Sequence, residues 1–259
     1  MSETVNRPII LLTNDDGVQA RGLAALRKAV APLGHVIVVA PTREQSASSH
    51  SITIDRPLRH IEHEHDVHSI DGTPADCVYL ALFERRFLPR RPDIVLSGVN
   101  HGFNLGTSVF YSGTVAGARE AAMRGISAIA FSAAVDADMD SWSEWIALFA
   151  SRLLSATKHA DSACLLNVNF PKTTALGVRI SHVGRQVYEE NVIPRRDPGG
   201  REYFWIGGRV TEGGERDGTD AHAVALGYVS VTPLALEATN REHWALAAEV
   251  AGNAQGDGR

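Results

Sequence analysis

The sequence predicts an α/β fold in which helices cover both faces of a mostly parallel sheet. Over the first ~170 residues, short apolar runs alternate with segments of helical periodicity, and this βαβ rhythm is typical of parallel sheets. Polar or glycine-rich loops follow several of the runs, as expected at strand ends. The length of 259 residues suits one main domain with an elaboration.

The first strands and helices are predicted from the amino end onward. Pro8 to Thr13 is a continuous apolar run, and apolar residues then recur at helical spacing until Gly34 ends the pattern. A β-branched run from His35 to Ala40 leads into a polar loop, Pro41 to Ser51. A capping threonine, a proline and an acid in Thr73 to Asp76 then predict a helix that continues to about Phe87.

The later segments follow the same rhythm until Pro171, and after it hairpins and long loops are expected. Strands are predicted at Asp93–Ser97, Ser127–Ser132, Ala163–Phe170, Val178–Val183, Tyr203–Ile206 and Leu226–Thr232. Helices are predicted at Gly113–Arg124, Trp142–Thr157 and His243–Ala251, with a glycine-rich loop at Gly98–Ser112 and a disordered tail from Gly252. We therefore expect a single domain with its core at about 8–175 and 219–235, an extension at about 176–218 that serves oligomerisation or acts as a lid, and a terminal helix and tail at 236–259.

Composition excludes several classes of protein. A formal net charge of -5 and a pI near 6.1 argue against a broad basic face for nucleic acid. No apolar run approaches the ~20 residues needed to cross a bilayer, and the amino end lacks the basic segment of a secretory signal. Cys77 and Cys164 sit in apolar stretches and are interpreted as small core residues. A cytoplasmic protein without membrane or nucleic-acid partners is expected.

Asp15 and Asp16 are the first candidate site, because they directly follow the first strand. Ligands of open parallel sheets bind at the carboxyl ends of the strands. Two adjacent carboxylates repel each other, and a hard cation such as Mg²⁺ or Mn²⁺ neutralises them readily. The alternative is an ordinary turn, since Asp and Gly are both common turn residues.

Three further loops also follow strands, so they are expected at the same edge of the sheet. The serine loop, Ser46 to Ser51, offers hydroxyls for a metal or a phosphate, although such loops are often merely solvated. The glycine-rich loop contributes Asn100 and Asn104, and it lacks the Walker and dinucleotide fingerprints. Ser112-Gly113-Thr114 opens a helix, where exposed amides and hydroxyls suit an anion, or simply an N-cap.

Three other patterns are interpreted as structural. Asp136 to Asp140 resembles a calcium loop but lacks its glycine and bidentate glutamate, so helix-capping acids are favoured. The four histidines between His60 and His68 alternate with acids and lack cysteine, which favours a solvated hairpin over a zinc site. The absence of a Gly-x-Ser-x-Gly elbow weakens a serine-hydrolase interpretation.

Short segments spread along the chain match one known family in their order, and the combination is highly specific. They are Leu12–Gly17, Val39–Pro41, Glu44–Ser46, Gly72–Pro74, Asp93–Asn100 and Tyr111–Val115, followed by Tyr203–Gly207, Thr219–Asp220 and Gly227–Pro233. Through these segments the chain resembles the SurE survival proteins, a family of metal-dependent 5'-nucleotidases. Where the family often has paired acids after Asn-Leu-Gly, this chain has Thr107-Ser108.

The resemblance implies a Rossmann-like fold, a homodimer or homotetramer, and hydrolysis of nucleoside monophosphates. Carried over by motif, one divalent ion per subunit, Mg²⁺ or Mn²⁺, would be held by Asp15, Asp16, Ser46 and Asn100. Phosphate would be bound by Ser112, Gly113 and Thr114, with Asn104 lining the pocket.

The mechanism expected on this basis is metal-assisted attack of water on the phosphate, with Asp15 or Asp16 as the candidate proton acceptor. 3'-Nucleotides and short polyphosphates are possible additional substrates. A metal-dependent sensor of nucleotides or phosphosugars, without hydrolysis, is the competing interpretation, and a metal-free serine hydrolase is a third.

Overall fold

The computed structural model describes residues 7–185, 191–207 and 216–252, and its main feature is a nine-stranded sheet. The strands are β1 (Ile9–Thr13), β2 (His35–Pro41), β3 (His60–Glu64), β4 (Val67–Ile70), β5 (Ile94–His101), β6 (Ala128–Ala133), β7 (Leu165–Asn169), β8 (Val178–Ile180), β9 (Asn191–Arg196), β10 (Glu202–Gly207) and β11 (Val229–Pro233). The helices are α1 (Arg21–Val30), α2 (Pro74–Phe83), α3 (Gly113–Met123), α4 (Ser143–Ala156), α5 (Asp220–Ala225) and α6 (Trp244–Val250).

The strand order is β3-β4-β2-β1-β5-β6-β7-β11-β8. The pairs from β4 to β7 are all parallel, whereas β3 and β11 pair antiparallel to their neighbours β4 and β7. The chain passes from β1 to β2 on one side and returns through α2 to β5 on the other side of β1. The carboxyl ends of β1 and β5 therefore flank the switch point at which open α/β sheets bind ligands.

Apolar side chains from the two faces of the sheet form two separate cores. Alternate residues of β1 point to opposite faces, so Ile10 joins the core under α1 and α4, and Leu11 joins the core under α2 and α3. Helices on both faces bury all of β1 and β6 and the last five residues of β2, as the apolar runs of the sequence predict. The predicted α/β fold is confirmed.

The ends of α2 and β5 differ from those predicted, as does the end of β8, which stops at Ile180 rather than Val183. Helix α2 starts as expected, with Thr73 and Asp76 forming a capping box, but it ends at Phe83 because Glu84 adopts an extended backbone. Strand β5 continues through the first part of the predicted glycine-rich loop to His101. The pairing of β5 with β6 shifts after Ser97. At this point Gly98 has a φ of +128°, and it lies so close to β6 that a Cβ there would be 2.3 Å from the carbonyl oxygen of Phe131.

The carboxyl-terminal third contains one helix that the sequence pattern does not reveal. α5 is only six residues long, is capped by Thr219, and occupies the segment just before β11, which begins at Val229 rather than Leu226. A helix this short carries too few apolar repeats to be recognised by periodicity. The predicted hairpin is present as the antiparallel pair β9–β10, whose two strands carry exposed apolar side chains.

α6 is exposed along its whole length, and the predicted tail beyond residue 252 lies outside the described residues. Within the ranges that the structure describes, the helices are too short or too polar to traverse a bilayer.

Candidate active site

A cavity of about 1080 Å³ opens at the carboxyl edge of the sheet, over the switch point beside β1. Most of the side chains predicted for the metal and the phosphate line it. They are Asp15, Asp16, Ser46, Asn100, Asn104 and Ser112. These residues come from four loops that are distant in the sequence, and the parallel topology brings them together as expected.

The loop after β1 makes a turn and also presents two carboxylates to the cavity. Asn14 closes the turn, since its Nδ2 donates to the carbonyl of Gly17 at 2.9 Å. The backbone carbonyl of Asp15 accepts from the amide of Gln45 at 2.7 Å, which ties this loop to the start of the serine loop. The turn interpretation and the site interpretation of the Asp-Asp-Gly segment are therefore compatible.

The two aspartates occupy a poor environment for negative charge. Asp15 is only 5% exposed, and this burial raises its pKa to about 6. The hydroxyl of Thr114 donates to the carboxylate and lowers the pKa, whereas the negative charge of Asp16 raises it. Burial also raises the pKa of Asp16, partly offset by the backbone amide of His101 and increased by the charge of Glu44. The pair therefore favours a positively charged ligand.

The donor groups around the aspartates fit a hard cation. Ser46 donates its hydroxyl proton to Glu44 at 2.7 Å, which leaves lone pairs of the hydroxyl oxygen available. The amide nitrogen of Asn100 donates to the carbonyl of Gly102 at 2.8 Å, which leaves its amide oxygen as the group that can ligate. Oxygen ligands of this kind are preferred by Mg²⁺ and Mn²⁺.

The four predicted ligands do not include the cysteine or histidine side chains that softer metals prefer. In the described parts of the chain, no three His, Cys, Asp or Glu side chains cluster around a common point that could hold a metal. The four predicted ligands are two carboxylates, a hydroxyl and an amide, so a cation held here would keep several water ligands, as Mg²⁺ commonly does.

The amino end of α3 borders the cavity next to Asp15. Ser112 is its N-cap, and its side chain accepts from the amide of Val115 at 3.1 Å. Gly113 packs so closely on the first loop that a Cβ there would lie 2.8 Å from the Cβ of Asp15 and 2.9 Å from the hydroxyl of Ser48. Any larger residue at this position would displace the aspartate or the serine loop.

Thr114 is placed differently from the other two residues of this segment. It is fully buried, and its hydroxyl donates to the carboxylate of Asp15. Its backbone amide also acts on this carboxylate, so Thr114 supports the aspartate with both its side chain and its main chain. Within the Ser112-Gly113-Thr114 segment, the backbone amide of Gly113 is the donor available to an anion at the helix terminus.

Asn104 is held in place by buried amides of β7. Its backbone carbonyl accepts from the side chains of Asn167 at 2.7 Å and Asn169 at 3.1 Å. Its side-chain nitrogen, Nδ2, donates to the hydroxyl of Ser132 at 2.8 Å. The pattern of the sequence did not reveal these three supporting residues. Polar side chains inside the predicted strands at 127–132 and 163–170 are the signal that could have indicated them, because buried polar groups require partners.

Two other groups near the aspartates were also missed. Glu44 and His101 line the cavity, and both act electrostatically on Asp16. Each is adjacent or nearly adjacent in sequence to a predicted ligand, Ser46 or Asn100, and that proximity is the signal that could have found them.

The acidic pattern interpreted as helix-capping does cap a helix. Asp138 caps a short 3-10 helix by accepting from the amide of Asp140 at 3.2 Å, and both acids also line the cavity. The histidine-rich segment forms the predicted hairpin, β3–β4, but only one of its strands is solvated. β3 is exposed, whereas β4 is buried and the ring of its His68 contacts His60 at 3.1 Å.

Comparisons with known proteins establish the family of this chain. A sequence model of the family described as Survival protein SurE matches residues 10–190. A protein of Sorangium cellulosum (strain So ce56) named 5'-nucleotidase SurE is 47% identical over 244 residues, which cover 93% of this chain and 95% of that protein. Another protein of the same name, from Pelobacter propionicus (strain DSM 2379 / NBRC 103807 / OttBd1), is 44% identical over 237 residues, covering 89% and 94%.

A solved structure shows the same architecture. The crystal structure of the SurE protein from Aquifex aeolicus aligns with a TM-score of 0.82 at 38% identity, covering 94% of this chain and all of that chain. The family match extends from β1 to beyond β8, and so includes the four loops that line the cavity. The chain therefore belongs to the SurE family.

Proposed function

We propose that this chain is a divalent-metal-dependent phosphomonoesterase that hydrolyses nucleoside 5'-monophosphates to a nucleoside and phosphate. The observation that carries the proposal is the pair of desolvated aspartates beside the amino end of α3, in one cavity at the switch point of the sheet. Relatives named 5'-nucleotidase SurE, which align over most of this chain, support the choice of substrate.

The residues of the cavity divide into a cation side and an anion side. Asp15, Asp16, Ser46 and Asn100 would hold one Mg²⁺ or Mn²⁺, which when bound supplies positive charge to polarise a phosphoryl oxygen and to activate water. The raised pKa of Asp15 reflects the cost of an ionised carboxylate without such a partner.

On the anion side, the backbone amide of Gly113 and the positive end of the α3 dipole would stabilise charge on the phosphoryl oxygens. The hydroxyl of Ser112 accepts from the helix and can still donate its own proton to an oxygen of the substrate. Asp16 is more exposed than Asp15 and is the better placed candidate to accept the proton of the attacking water, although a bound cation would weaken either carboxylate as a base.

The decisive experiment measures phosphate release from a panel of phosphate esters, with EDTA and with added Mg²⁺ or Mn²⁺. The panel contains 5'-nucleotides, 3'-nucleotides and short polyphosphates, so it also defines the range of substrates. Release from 5'-nucleotides that stops in EDTA and returns with metal is expected. Metal-dependent nucleotide binding without release would instead favour the sensor, and release in excess EDTA would favour a metal-free hydrolase.

We also propose a homodimer or homotetramer in the cytoplasm, assembled through the carboxyl-terminal extension. The β9–β10 hairpin exposes 60% of Phe204 and 90% of Ile206, which lie on the same face of β10, and apolar groups exposed together suit a subunit interface. Light scattering of the full chain, compared with a variant carrying Phe204→Ser and Ile206→Ser, tests this. A monomeric wild-type chain would refute it.

A further inference from the structure

His50 lies on the serine loop and touches the helix that begins at the phosphate pocket. Its Nε2 lies 2.8 Å from Oε2 of Glu120, and because a carboxylate can only accept, the imidazole must donate here. Glu120 is on α3, seven residues after Gly113, or about 10 Å along the helix axis. The contact therefore joins the loop that carries Ser46 to the rigid body that carries the anion side of the cavity.

The glutamate is itself firmly held. Its side chain is 3% exposed, and its second oxygen accepts from Nε of Arg124 at 2.8 Å. The side chain of Arg124 also lies over the rings of Tyr79 and Phe83, at 5.3 and 5.6 Å from their centroids. The two carboxylate oxygens of Glu120 therefore accept from two different side chains, His50 on the serine loop and Arg124 at the end of α3.

The loop needs such an anchor because its backbone is unfavourable. Ala47 and Ser49 have φ values of 55° and 54°, in the left-handed region that residues with a Cβ rarely adopt. Ser49 also connects the loop to the segment before α3, since its amide donates to the carbonyl of Tyr111 at 3.0 Å. The side chain of Ser46 would move if this conformation were lost, because it lies one residue before Ala47.

We propose that His50 is a positioning residue, which through Glu120 holds the serine loop against α3 and so keeps Ser46 in place to bind the metal. The inference rests on the proposed function. His50 itself lies outside the lining of the cavity, so it acts through the loop and not on the substrate. A residue that orients a metal ligand in this way typically contributes about 10- to 100-fold to metal affinity or activity.

The test measures Mn²⁺ affinity of the metal-free full chain by titration calorimetry without substrate, together with kcat and KM for a 5'-nucleotide. His50→Leu removes the hydrogen bond and keeps a large side chain, and His50→Ala removes both. His50→Gln places an amide donor near the position of Nε2. Arg124→Met is the matched control, because it removes the other partner of the same carboxylate and leaves the loop contact intact.

We expect His50→Leu to weaken Mn²⁺ binding by about tenfold or more and to lower kcat by a similar factor, with a smaller change in KM. His50→Gln and Arg124→Met should both stay within about threefold of the wild type in Mn²⁺ affinity. Melting temperatures in EDTA separate positioning from stability, because Arg124→Met is expected to lower the melting temperature without affecting the metal.

Several results would overturn the inference. These are unchanged Mn²⁺ affinity in His50→Leu, failure of His50→Gln to restore it, and an equal loss in Arg124→Met. If His50→Ala does not fold, His50→Leu decides alone. A wild-type chain that binds no Mn²⁺ would refute the proposed function itself, and this outcome is seen before any variant is compared.

Discussion

Replacing Asp15 by Asn is expected to change stability and activity in opposite directions. In the metal-free chain at pH 7, the ionised carboxylate of Asp15 is buried, and its pKa rises from 3.8 to about 6. That rise corresponds to at most about 3 kcal/mol of unfavourable free energy. Asn carries no charge and keeps an oxygen that can accept from the hydroxyl of Thr114, so Asp15→Asn removes this cost.

The pH dependence has a definite sign. Below pH 3.8, Asp15 is protonated in both the folded and the unfolded chain, so wild type and variant differ little. Between pH 3.8 and about 6 the unfolded chain releases the proton first, so the wild type loses stability as the pH rises. Above about pH 6 the difference is complete, and the variant should melt about 6–12 °C higher than the wild type.

The assay is thermal unfolding in EDTA from pH 4 to pH 8, followed by phosphate release with Mn²⁺. Activity of Asp15→Asn is expected to fall by at least about 10², because a direct ligand and its charge are lost. Asp76→Asn is the control, since Asp76 is also buried but accepts three hydrogen bonds, from Thr53 and Thr73, and should lose stability. An Asp15→Asn chain no more stable than wild type in EDTA would refute the burial argument, and retained hydrolysis would refute the metal assignment.

Three further predictions concern the surroundings of the site. Ser112→Ala should cost about 1 kcal/mol, because the N-cap bond to Val115 is lost, and should raise KM for the nucleotide; an unchanged KM would exclude Ser112 from phosphate binding. Burial raises the pKa of Glu120, but two hydrogen bonds outweigh it and the net pKa is lowered. Glu120→Gln should therefore be less stable than the wild type at pH 7, and the difference between their denaturation midpoints should disappear as the pH falls below 4.5. A constant difference would contradict this. Gly22→Ala should cost about 1–3 kcal/mol in urea unfolding, because the new Cβ would lie 1.9 Å from the carbonyl oxygen of Val99; full stability would show that α1 can move away from β5.

Much of the fold can be predicted from the sequence because the parallel core has a simple pattern. β1, β2 and β6 are short apolar runs, and α1 has a clear apolar stripe. Those patterns arise because the apolar side chains are buried, and the burial of apolar surface is the main favourable contribution to the free energy of folding. The end of α2 and the position of α5 are set by tertiary contacts and short capping motifs, so periodicity locates them poorly.

The site was predicted in outline for a different reason. Each candidate loop follows a strand of a parallel sheet, and topology alone then brings the loops to one edge. The sequence cannot reveal which oxygen of a side chain is already committed to another group. The role of Thr114 is the example: its hydroxyl binds Asp15, a contact between residues 99 positions apart. Supporting residues such as Asn167 are hidden for the same reason.

The position of β11 affects how the protein can be synthesised. This strand comes from near the end of the chain, yet it pairs with β7, whose buried asparagines hold Asn104 beside the cavity. A ribosome has therefore produced all four loops of the site before the strand that covers the outer side of β7 exists. A nascent or truncated chain that stops before Val229 presents β7 as an unpaired edge, which is prone to aggregate. Chains shortened in this way should depend on chaperones, even though every proposed metal ligand is present.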